Sequence, residues 1–233
     1  MKDLFGHAIL DYQTRNEPQD LITETNISEA DEMSVAYLFR DYNEMPQLEK
    51  KALQLCQGNI LDVGCGAGSH SLYLQEKGFE VTSIDISQNA IQACQLRGLK
   101  KARVQNVLDI HNETFDTILL LMNGTGIFGT LVQTSQFLQK LKGLLNPNGQ
   151  ILIDSSDIIY MFDENDDGSF SVPAMGYYGE LTFTISYKNQ TEEPFPWLYL
   201  DYNTLRNAAQ ANGLNCALLK EGKHFDYLAK LSL

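Results

Sequence analysis

A glycine-rich turn in the first third of this 233-residue chain constrains its fold more than any other segment. The apolar run 60–63 is followed at once by glycine at three alternate positions, Gly64, Gly66 and Gly68. Because glycine lacks a Cβ atom, the backbone there can turn sharply and lie against a ligand. Asp85 ends the next apolar run, 21 residues after Gly64, which is close to the spacing at which a second-strand carboxylate binds a ribose diol. The pattern predicts a site for a nucleoside cofactor.

Strands and helices alternate from residue 59 onwards, which predicts an α/β fold with a parallel sheet and helices on both of its faces. Predicted strands cover 60–63, 79–84, 102–107, 115–122 and 150–154, and predicted helices cover 47–56, 69–77, 87–97 and 130–145. Ser87 and Gly98 are a typical N-cap and stop for the helix between them. After residue 201 the pattern predicts a helix over 203–211 and an antiparallel pair of strands over 215–220 and 225–231.

The remaining segments are predicted to surround the sheet within a single domain, residues 1–233. Residues 1–45 form an N-terminal cap segment with a helical piece around 32–39, and 46–154 form the cofactor-binding half. Residues 155–200 are an insertion that contains a β-hairpin, and 201–233 supply the last helix and strand pair. Ligands of open parallel sheets bind beyond the carboxyl ends of the strands. We therefore expect the cap segment and the insertion to roof that crevice.

The segment Asp62-Val63-Gly64-Cys65-Gly66-Ala67-Gly68 resembles motif I of the class I S-adenosylmethionine-dependent methyltransferases, and the likeness extends over about residues 60–233. The resemblance implies a Rossmann-like, doubly wound, mostly parallel seven-stranded sheet with a terminal antiparallel hairpin. It also implies S-adenosylmethionine as the cofactor, with S-adenosylhomocysteine as the product. The predicted cofactor-binding residues are Asp62, Gly64, Cys65, Gly66, Asp85, Ile86, Leu108, Asp109, Ile110 and Asn123.

The resemblance also assigns roles to several of these residues. Asp62 would lie near the cofactor ammonium group, Asp85 would bind the ribose hydroxyls, and Ile86 would pack on adenine. Asp109 would receive the adenine amino group, because a carboxylate suits a donor edge. Asn123 follows the fourth strand and could bond cofactor or substrate. The segment 121–124 departs from the Asn/Asp-Pro-Pro-Tyr form, so methylation of an exocyclic or amide nitrogen is not supported.

Two other functions remain open. The chain could be a binding module that holds S-adenosylmethionine or S-adenosylhomocysteine without catalysis. It could also be an NAD(P)-dependent reductase that uses the first glycine turn, and the segment 124–129 is a second, literal match to G-x-G-x-x-G. The second match requires an acidic residue about 20 positions further on, and the chain has Leu144-Leu145-Asn146 there. In the first glycine turn Ser69 stands where the dinucleotide pattern has its third glycine, so the reductase is the weaker alternative.

The acceptor is predicted to be a small molecule. The formal charge of −13 disfavours nucleic acid, which requires a basic surface. Substrate-binding candidates are Tyr37, Arg40, Tyr160 and Trp197. Their aromatic rings could stabilise a sulfonium or bind a flat acceptor, and Arg40 could pair with a carboxylate of cofactor or substrate. The acceptor atom, a general base and the oligomeric state stay open.

No metal, membrane segment or secretory signal is predicted. The four cysteines lack a C-x-x-C pair, so we expect reduced thiols and a cytoplasmic protein. The acidic segment 163–168 imitates half of a calcium loop, but Ala174 stands where the bidentate Glu is required. Whether that segment binds an ion is left open.

Overall fold

Two β-sheets form the framework of the fold in the computed structural model, which describes residues 2–233. The strands, in chain order, are Leu21–Thr25 (β1), Ser28–Met33 (β2), Asn59–Val63 (β3), Glu80–Asp85 (β4), Ala102–Val104 (β5), Phe115–Leu120 (β6), Leu145–Ser156 (β7), Glu180–Tyr187 (β8), Gln190–Thr191 (β9), Phe195–Leu198 (β10), Asn215–Glu221 (β11) and Asp226–Ser232 (β12). The α-helices are Leu4–Thr14 (α1), Gln47–Leu55 (α2), Ser69–Glu76 (α3), Gln88–Leu96 (α4), Leu131–Gly143 (α5) and Tyr202–Ala211 (α6).

The larger sheet has seven strands in the order β11-β12-β7-β6-β3-β4-β5. Strands β5, β4, β3, β6 and β7 run parallel, whereas β12 pairs antiparallel with both β7 and β11. The predicted fold class is confirmed. The third parallel strand is shorter than predicted: it ends at Val104, and a 3-10 turn over Val107–Asp109 follows. The Asn106 carboxamide accepts a hydrogen bond from the Leu108 N–H, which favours a turn over a continued strand.

Successive residues of the central strands pack against opposite layers of helices. In β6, Ile118 and Leu120 belong to the apolar cluster that includes α5 and α6. Leu119 between them belongs to the cluster that includes α2. Strands covered on both faces read as continuous apolar runs. This packing explains why the alternation of strands and helices was readable from the sequence.

The smaller sheet joins the N-terminal segment to the insertion after β7. Its strands pair antiparallel in the order β10-β8-β1-β2, with β9 beside β8. The expected hairpin of β8 and β10 is present. Residues 2–45 contain more regular structure than the single helical piece that was predicted: they form α1, β1 and β2, and the predicted piece over 32–39 is the end of β2 plus a 3-10 turn over Val35–Phe39. β2 is mostly exposed and polar, so its own sequence carries no strand signal.

The N-terminal segment packs on the cofactor-binding half of the larger sheet. Ile9 of α1 and Leu38 share an apolar cluster with Ala67 of the glycine turn and Ala90 of α4. The Asp3 carboxylate accepts hydrogen bonds from the Ser87 hydroxyl and the Asn89 amide, at 2.9 and 2.8 Å. The assignment of residues 1–233 to one domain stays a prediction. Between residues 2 and 233, no helix combines the length and apolar character that a membrane span needs.

Candidate active site

The turn between β3 and α3 leaves open space beside two of its three glycines. Gly64 and Gly66 have φ values of +71° and +52°, in the left-handed region that favours glycine. A Cβ atom built on Gly66 would meet no atom within 4 Å, and one on Gly64 would meet only Ile127 Cγ2, at 4.0 Å. At Gly68 it would lie 2.7 Å from Leu99 Cδ1. The first two glycines therefore leave room for a ligand, while the third packs against protein.

Asp85, at the end of β4, is held against this turn. Its carboxylate accepts hydrogen bonds from the N–H groups of Gly66 and Ser87, at 3.0 and 2.9 Å. Burial raises the pKa of Asp85, and the two backbone N–H groups offset part of that rise. The next residue, Ile86, has 61% of its surface exposed. The edge of the sheet thus offers a fixed carboxylate next to an apolar side chain, which suits a ribose diol and a base.

The three residues predicted after the third strand occupy different environments. The Asp109 side chain is exposed and that of Leu108 is half-buried. Ile110 is 1% exposed and packs in the core, and its carbonyl accepts a hydrogen bond from Lys140 Nζ. Asp109 and Leu108 are accessible to a ligand, whereas the Ile110 side chain is not.

Asp62 and Cys65 are buried beneath the glycine turn. Asp62 is 2% exposed, and its carboxylate accepts a hydrogen bond of 2.6 Å from the Ser71 hydroxyl. Burial raises its pKa. Cys65 Sγ lies 3.9 Å from Cys94 Sγ, and this contact together with burial raises the pKa of the Cys65 thiol well above its ordinary value. A thiol kept protonated in this way is not a nucleophile.

The loop after β6 has an unusual backbone that a buried carboxylate holds in place. Met122 and Asn123 are consecutive non-glycine residues in the left-handed region, with φ values of +67° and +61°. Asp154, near the end of β7, accepts hydrogen bonds from the N–H groups of Met122 and Gly124, at 3.0 and 2.9 Å. Two such hydrogen bonds to one charged group can offset left-handed strain of about 1–2 kcal/mol per residue.

Asp154 was not among the predicted site residues. It is 8% exposed, and burial raises its pKa to about 6, with a further contribution from the nearby Glu49 charge. Perturbed carboxyl groups of this kind concentrate at functional sites. A carboxylate at the end of a parallel strand was the only signal in the sequence.

The Asn123 side chain is fixed by two hydroxyl groups. Its Oδ1 accepts hydrogen bonds from Ser155 Oγ at 3.0 Å and from Thr125 Oγ1 at 3.4 Å. The Ser155 hydroxyl also accepts the N–H of Leu200, at 2.9 Å. These contacts connect the loop after β6 to the end of β7 and to the segment that follows β10.

A cavity of about 280 Å³ lies at the carboxyl ends of β6 and β7, under the N-terminal segment. We call it the acceptor cavity. It is lined by Tyr37, Pro46, Leu48, Glu49, Met122, Asn123, Asp154, Ser155, Ser156 and Asp226. Two of the predicted site residues, Tyr37 and Asn123, therefore line the same cavity.

The other substrate-binding candidates lie elsewhere. Tyr160 is 50% exposed and stacks on Phe225 with ring centroids 5.1 Å apart. Trp197 packs against Gly126, where an added Cβ would lie 2.0 Å from its ring. Neither lines the acceptor cavity.

Arg40 is engaged in a buried ionic network that joins the N-terminal segment to α3. Its guanidinium lies 2.5 Å from the Glu49 carboxylate, and His70 Nε2 lies 2.6 Å from the same carboxylate. The Arg40 guanidinium also lies 4.0 Å from the centre of the Tyr37 ring. Burial works to raise the pKa of Glu49, but the contacts with His70 and Arg40 hold it below its ordinary value. Arg40 pairs with Glu49, and this network was missed because only the folded chain brings its three members together.

Within residues 2–233 no three His, Cys, Asp or Glu side chains converge as they would around a metal ion. The acidic segment 163–168 forms an exposed turn, closed by a hydrogen bond from the Asn165 N–H to the Ser169 carbonyl.

Comparison with known proteins identifies the family. A family profile described as a methyltransferase domain matches residues 57–194. The chain belongs to the class I S-adenosylmethionine-dependent methyltransferases. A SAM-dependent methyltransferase from Bacteroides fragilis, crystallised in complex with S-adenosyl-L-homocysteine, is 47% identical and superposes with a TM-score of 0.92. The match covers 100% of this chain and 95% of that one.

Two curated relatives match less than half of this chain. The ubiquinone biosynthesis O-methyltransferase of Rickettsia felis is 29% identical over 48% of this chain and 43% of its own length. The glycine/sarcosine N-methyltransferase of Halorhodospira halochloris is 28% identical over 48% of this chain and 45% of its own length. The chain thus spans about half the length of the curated relatives that it matches.

The residues of this methyltransferase suit S-adenosylmethionine, the cofactor of its family. Gly64 and Gly66 leave open space where a Cβ atom would otherwise stand. Asp85 presents a carboxylate with unused acceptor positions, since only one N–H reaches each of its oxygens. The exposed Ile86 supplies an apolar surface beside it.

Proposed function

We propose that this methyltransferase transfers a methyl group from S-adenosylmethionine to a small molecule bound in the acceptor cavity. The observation that carries the proposal is the position of the open glycine turn and of the cavity at the same edge of the larger sheet. Ligands of open parallel sheets bind at this edge. A methyl donor on the turn and an acceptor in the cavity would therefore be neighbours.

The size of the cavity and the charge of the chain support a small acceptor. About 280 Å³ is near the lower end of the range of roughly 300–1,000 Å³ that is usual for small-molecule sites. The formal charge of −13 opposes binding of nucleic acid. We include a cytoplasmic location in the proposal, because widely spaced cysteines without a disulfide suit a reducing compartment.

We further propose the cofactor-binding residues. Gly64 and Gly66 give the methionine part a close backbone approach, Asp85 binds the ribose hydroxyls, and Ile86 packs on adenine. Asp109 receives the adenine amino group. In this proposal, Asp62 and Cys65 support the glycine turn from beneath, and Leu108 lies beside Asp109. Ile110 contributes only its backbone. Asn123 lies between the cofactor and the acceptor.

The chemistry asks little of the protein beyond positioning. Methyl transfer from a sulfonium is an in-line displacement, so alignment of the reactants and exclusion of water can supply most of the rate. The N-terminal segment packs over the glycine turn, where it would exclude water from the bound reactants. One curated relative is named for O-methylation and another for N-methylation. The relatives therefore support methyl transfer without indicating the acceptor atom.

Calorimetric titration of the purified protein with S-adenosylmethionine and S-adenosylhomocysteine tests the cofactor assignment, with NAD and NADP as controls. We expect micromolar binding of both adenosyl compounds. Asp85→Ala should weaken it by roughly tenfold or more, because hydrogen bonds to a charged group are lost. Glu80→Ala is the matched control, since Glu80 is an exposed carboxylate at the opposite end of the same strand. Binding of NAD alone, or an unchanged affinity in Asp85→Ala, would refute the assignment.

A non-catalytic binding module is the alternative function. It predicts tight binding of S-adenosylhomocysteine without any acceptor-dependent formation of that product from S-adenosylmethionine. Release of S-adenosylhomocysteine that depends on an added acceptor would therefore exclude it.

A further inference from the structure

The acceptor cavity has a negative lining. Three of its ten lining side chains are carboxylic acids, Glu49, Asp154 and Asp226, and none is Lys, Arg or His. The Glu49 charge is compensated by the Arg40 guanidinium. Within residues 2–233, no Lys or Arg forms an ion pair with Asp154 or Asp226. An anionic ligand would be repelled from this space, and a cationic one would supply the missing charge.

Asp154 has acceptor capacity left on the side of the cavity. A carboxylate can accept about four hydrogen bonds, and the loop after β6 uses two of them, from the N–H groups of Met122 and Gly124. The same two bonds fix the position of the carboxylate. Its neighbours in the cavity wall, Asn123 and Ser155, bond to each other. Asp154 is thus a fixed, buried acceptor in the cavity wall, beside an Asn123–Ser155 pair whose polar groups already bond to each other.

The sign of the lining discriminates among classes of acceptor. When a neutral amine attacks the methyl group, positive charge moves from sulfur to nitrogen. A carboxylate beside the nitrogen stabilises this movement, because preorganised charge acts where charge develops. When a phenolate or carboxylate attacks, the acceptor must first carry a negative charge, which nearby carboxylates oppose. The lining therefore favours nitrogen over an oxygen anion.

We propose that the Asp154 carboxylate contacts the methyl acceptor directly, and that this acceptor is an aliphatic amine whose charge is matched by Asp154 and Asp226. The inference rests on the proposed function of the cavity. It agrees with the absence of the Asn/Asp-Pro-Pro-Tyr form at 121–124, which disfavours amide and exocyclic nitrogens but not alkylamines.

The reaction balances without a further reactant. The amine enters as an ammonium ion, whose charge Asp154 and Asp226 match, and gives one proton to the Asp154 carboxylate. From then on the Asp226 carboxylate, and not the protonated Asp154, matches the positive charge that forms on nitrogen. The nitrogen lone pair then forms the new N–C bond with the methyl carbon, while the S–C bond breaks and its electron pair stays on sulfur. The products are a methylated ammonium ion and S-adenosylhomocysteine, a neutral thioether at its sulfur. The proton leaves Asp154 for solvent when the product departs.

An ammonium group could come from two sources, the acceptor or the amino-acid part of the cofactor itself. The two differ in which affinity the cavity carboxylates control. If they bind the acceptor, substitution of Asp226 weakens amine binding and leaves the affinity for S-adenosylhomocysteine unchanged. If they bind the cofactor ammonium, the same substitution weakens S-adenosylhomocysteine.

The test uses three probes with one carbon skeleton: benzylamine, benzyl alcohol and benzoate. Each is titrated by calorimetry into the protein saturated with S-adenosylhomocysteine, at concentrations up to about 100 mM, so that a millimolar affinity is detected. We expect binding of the amine only. Binding of the alcohol or of benzoate at equal or higher affinity overturns the proposal, and so does the absence of amine binding in this range.

Variants assign the binding to the cavity. Asp226→Asn should weaken benzylamine about tenfold, because a hydrogen bond to a charged group is lost. The Asp226 carboxylate accepts the His224 N–H, and asparagine retains that acceptor, so the fold should be kept. Glu221→Gln is the matched control. Glu221 is exposed, lies opposite Tyr227 in the backbone register of β11 and β12, next to Asp226, and does not line the cavity. Equal losses in both variants would mean general electrostatics and would overturn the proposal.

For Asp154→Asn, benzylamine affinity is measured in the same way, and formation of S-adenosylhomocysteine from S-adenosylmethionine is measured with a panel of aliphatic amines. Asparagine offers one acceptor oxygen in place of two, so the loop after β6 could shift as well. Relative to the unmodified chain, the loss of benzylamine affinity should be large at pH 7 and smaller at pH 5. Burial raises the pKa of Asp154 to about 6, so at pH 5 this group is mostly protonated in the unmodified chain too, while benzylamine stays charged. Unchanged amine affinity in this variant would overturn the assignment of Asp154. Failure of this proposal can be told apart from failure of the cofactor assignment, because the latter would show as absence of S-adenosylhomocysteine binding in the unmodified chain.

Discussion

Alanine at Gly66 and at Gly68 should have opposite consequences, although both glycines belong to one turn. Both have left-handed backbones, with φ values of +52° and +80°, so alanine at either position costs about 1–2 kcal/mol of strain. The space around them differs. A methyl group at Gly66 meets no protein atom within 4 Å, whereas one at Gly68 lies 2.7 Å from Leu99 Cδ1 and 2.9 Å from Cys94 Sγ. Overpacking of that kind adds about 1–3 kcal/mol.

The expected free-energy changes follow from these contacts. Gly66→Ala should lower the free energy of unfolding by about 1–2 kcal/mol, and Gly68→Ala by about 2–5 kcal/mol. Binding should show the reverse order. The Gly66 methyl group occupies the open space assigned to the cofactor, so affinity for S-adenosylhomocysteine should fall by roughly a hundredfold, which corresponds to an overpacking cost of about 3 kcal/mol in the complex. Gly68→Ala should bind almost normally as long as it is folded.

Urea unfolding and calorimetric titration of each variant measure the two quantities. Gly78→Ala is the matched control, because Gly78 also has a left-handed backbone, at φ +90°, with no atom within 4 Å of an added Cβ. It lies in the turn before β4, at the far end of the sheet from the glycine turn. If Gly66→Ala binds S-adenosylhomocysteine as tightly as Gly78→Ala does, the open space beside Gly66 is not the cofactor site.

Two further predictions concern buried carboxyl groups. The folded state raises the pKa of Asp154 to about 6 from its ordinary 3.8, through burial and the Glu49 charge, with His70 acting in the opposite direction. The group therefore binds its proton more tightly in the folded than in the unfolded chain. Its contribution to stability is complete below about pH 4 and declines by about 3 kcal/mol as the pH rises through 6. The difference in unfolding free energy between the unmodified chain and Asp154→Asn should change by that amount between pH 4 and 7 in urea titrations, and a constant difference would contradict it. Glu49→Gln should lower the free energy of unfolding by about 3–5 kcal/mol, since it leaves the Arg40 guanidinium buried without its counter-charge. The control Glu80→Gln breaks only the exposed pair with Lys101 and should leave urea unfolding unchanged. Equal losses in the two variants would show that burial of the Glu49 network has no energetic role.

The larger sheet was predictable because its strands carry their own signals. The central strands are rich in apolar residues, since both of their faces are covered, and the helix after β4 has local start and stop residues. Ser87 is an example: its hydroxyl accepts the Ala90 N–H at 2.9 Å, as its predicted cap role requires. The glycine turn was predictable for the same reason, because a left-handed backbone beside a ligand restricts the residue type locally.

The smaller sheet and the acceptor cavity could not be predicted in this way. β2 is a polar, exposed strand that is held by its pairing with β1, and β1 in turn pairs with β8, more than 150 residues further along the chain. Asp154 finds its two N–H donors in a loop about 30 residues earlier. Such contacts depend on the register of the folded sheet, and no periodicity of the sequence reports them.

The negative lining of the acceptor cavity depends on how Glu49 is used. This residue lines the cavity but accepts from both Arg40 and His70, so its charge is already balanced within the protein. The charge available to a ligand is therefore that of Asp154 and Asp226, which come from two neighbouring strands of the larger sheet. The N-terminal segment supplies the Tyr37 wall and the Arg40 counter-charge, and it also packs on the glycine turn. If the amine assignment is correct, the carboxylates of the sheet select the charge of the acceptor, while the N-terminal segment, through Tyr37, helps to determine its shape. Exchanging the N-terminal segment between relatives should then change the acceptor while methylation of nitrogen is retained.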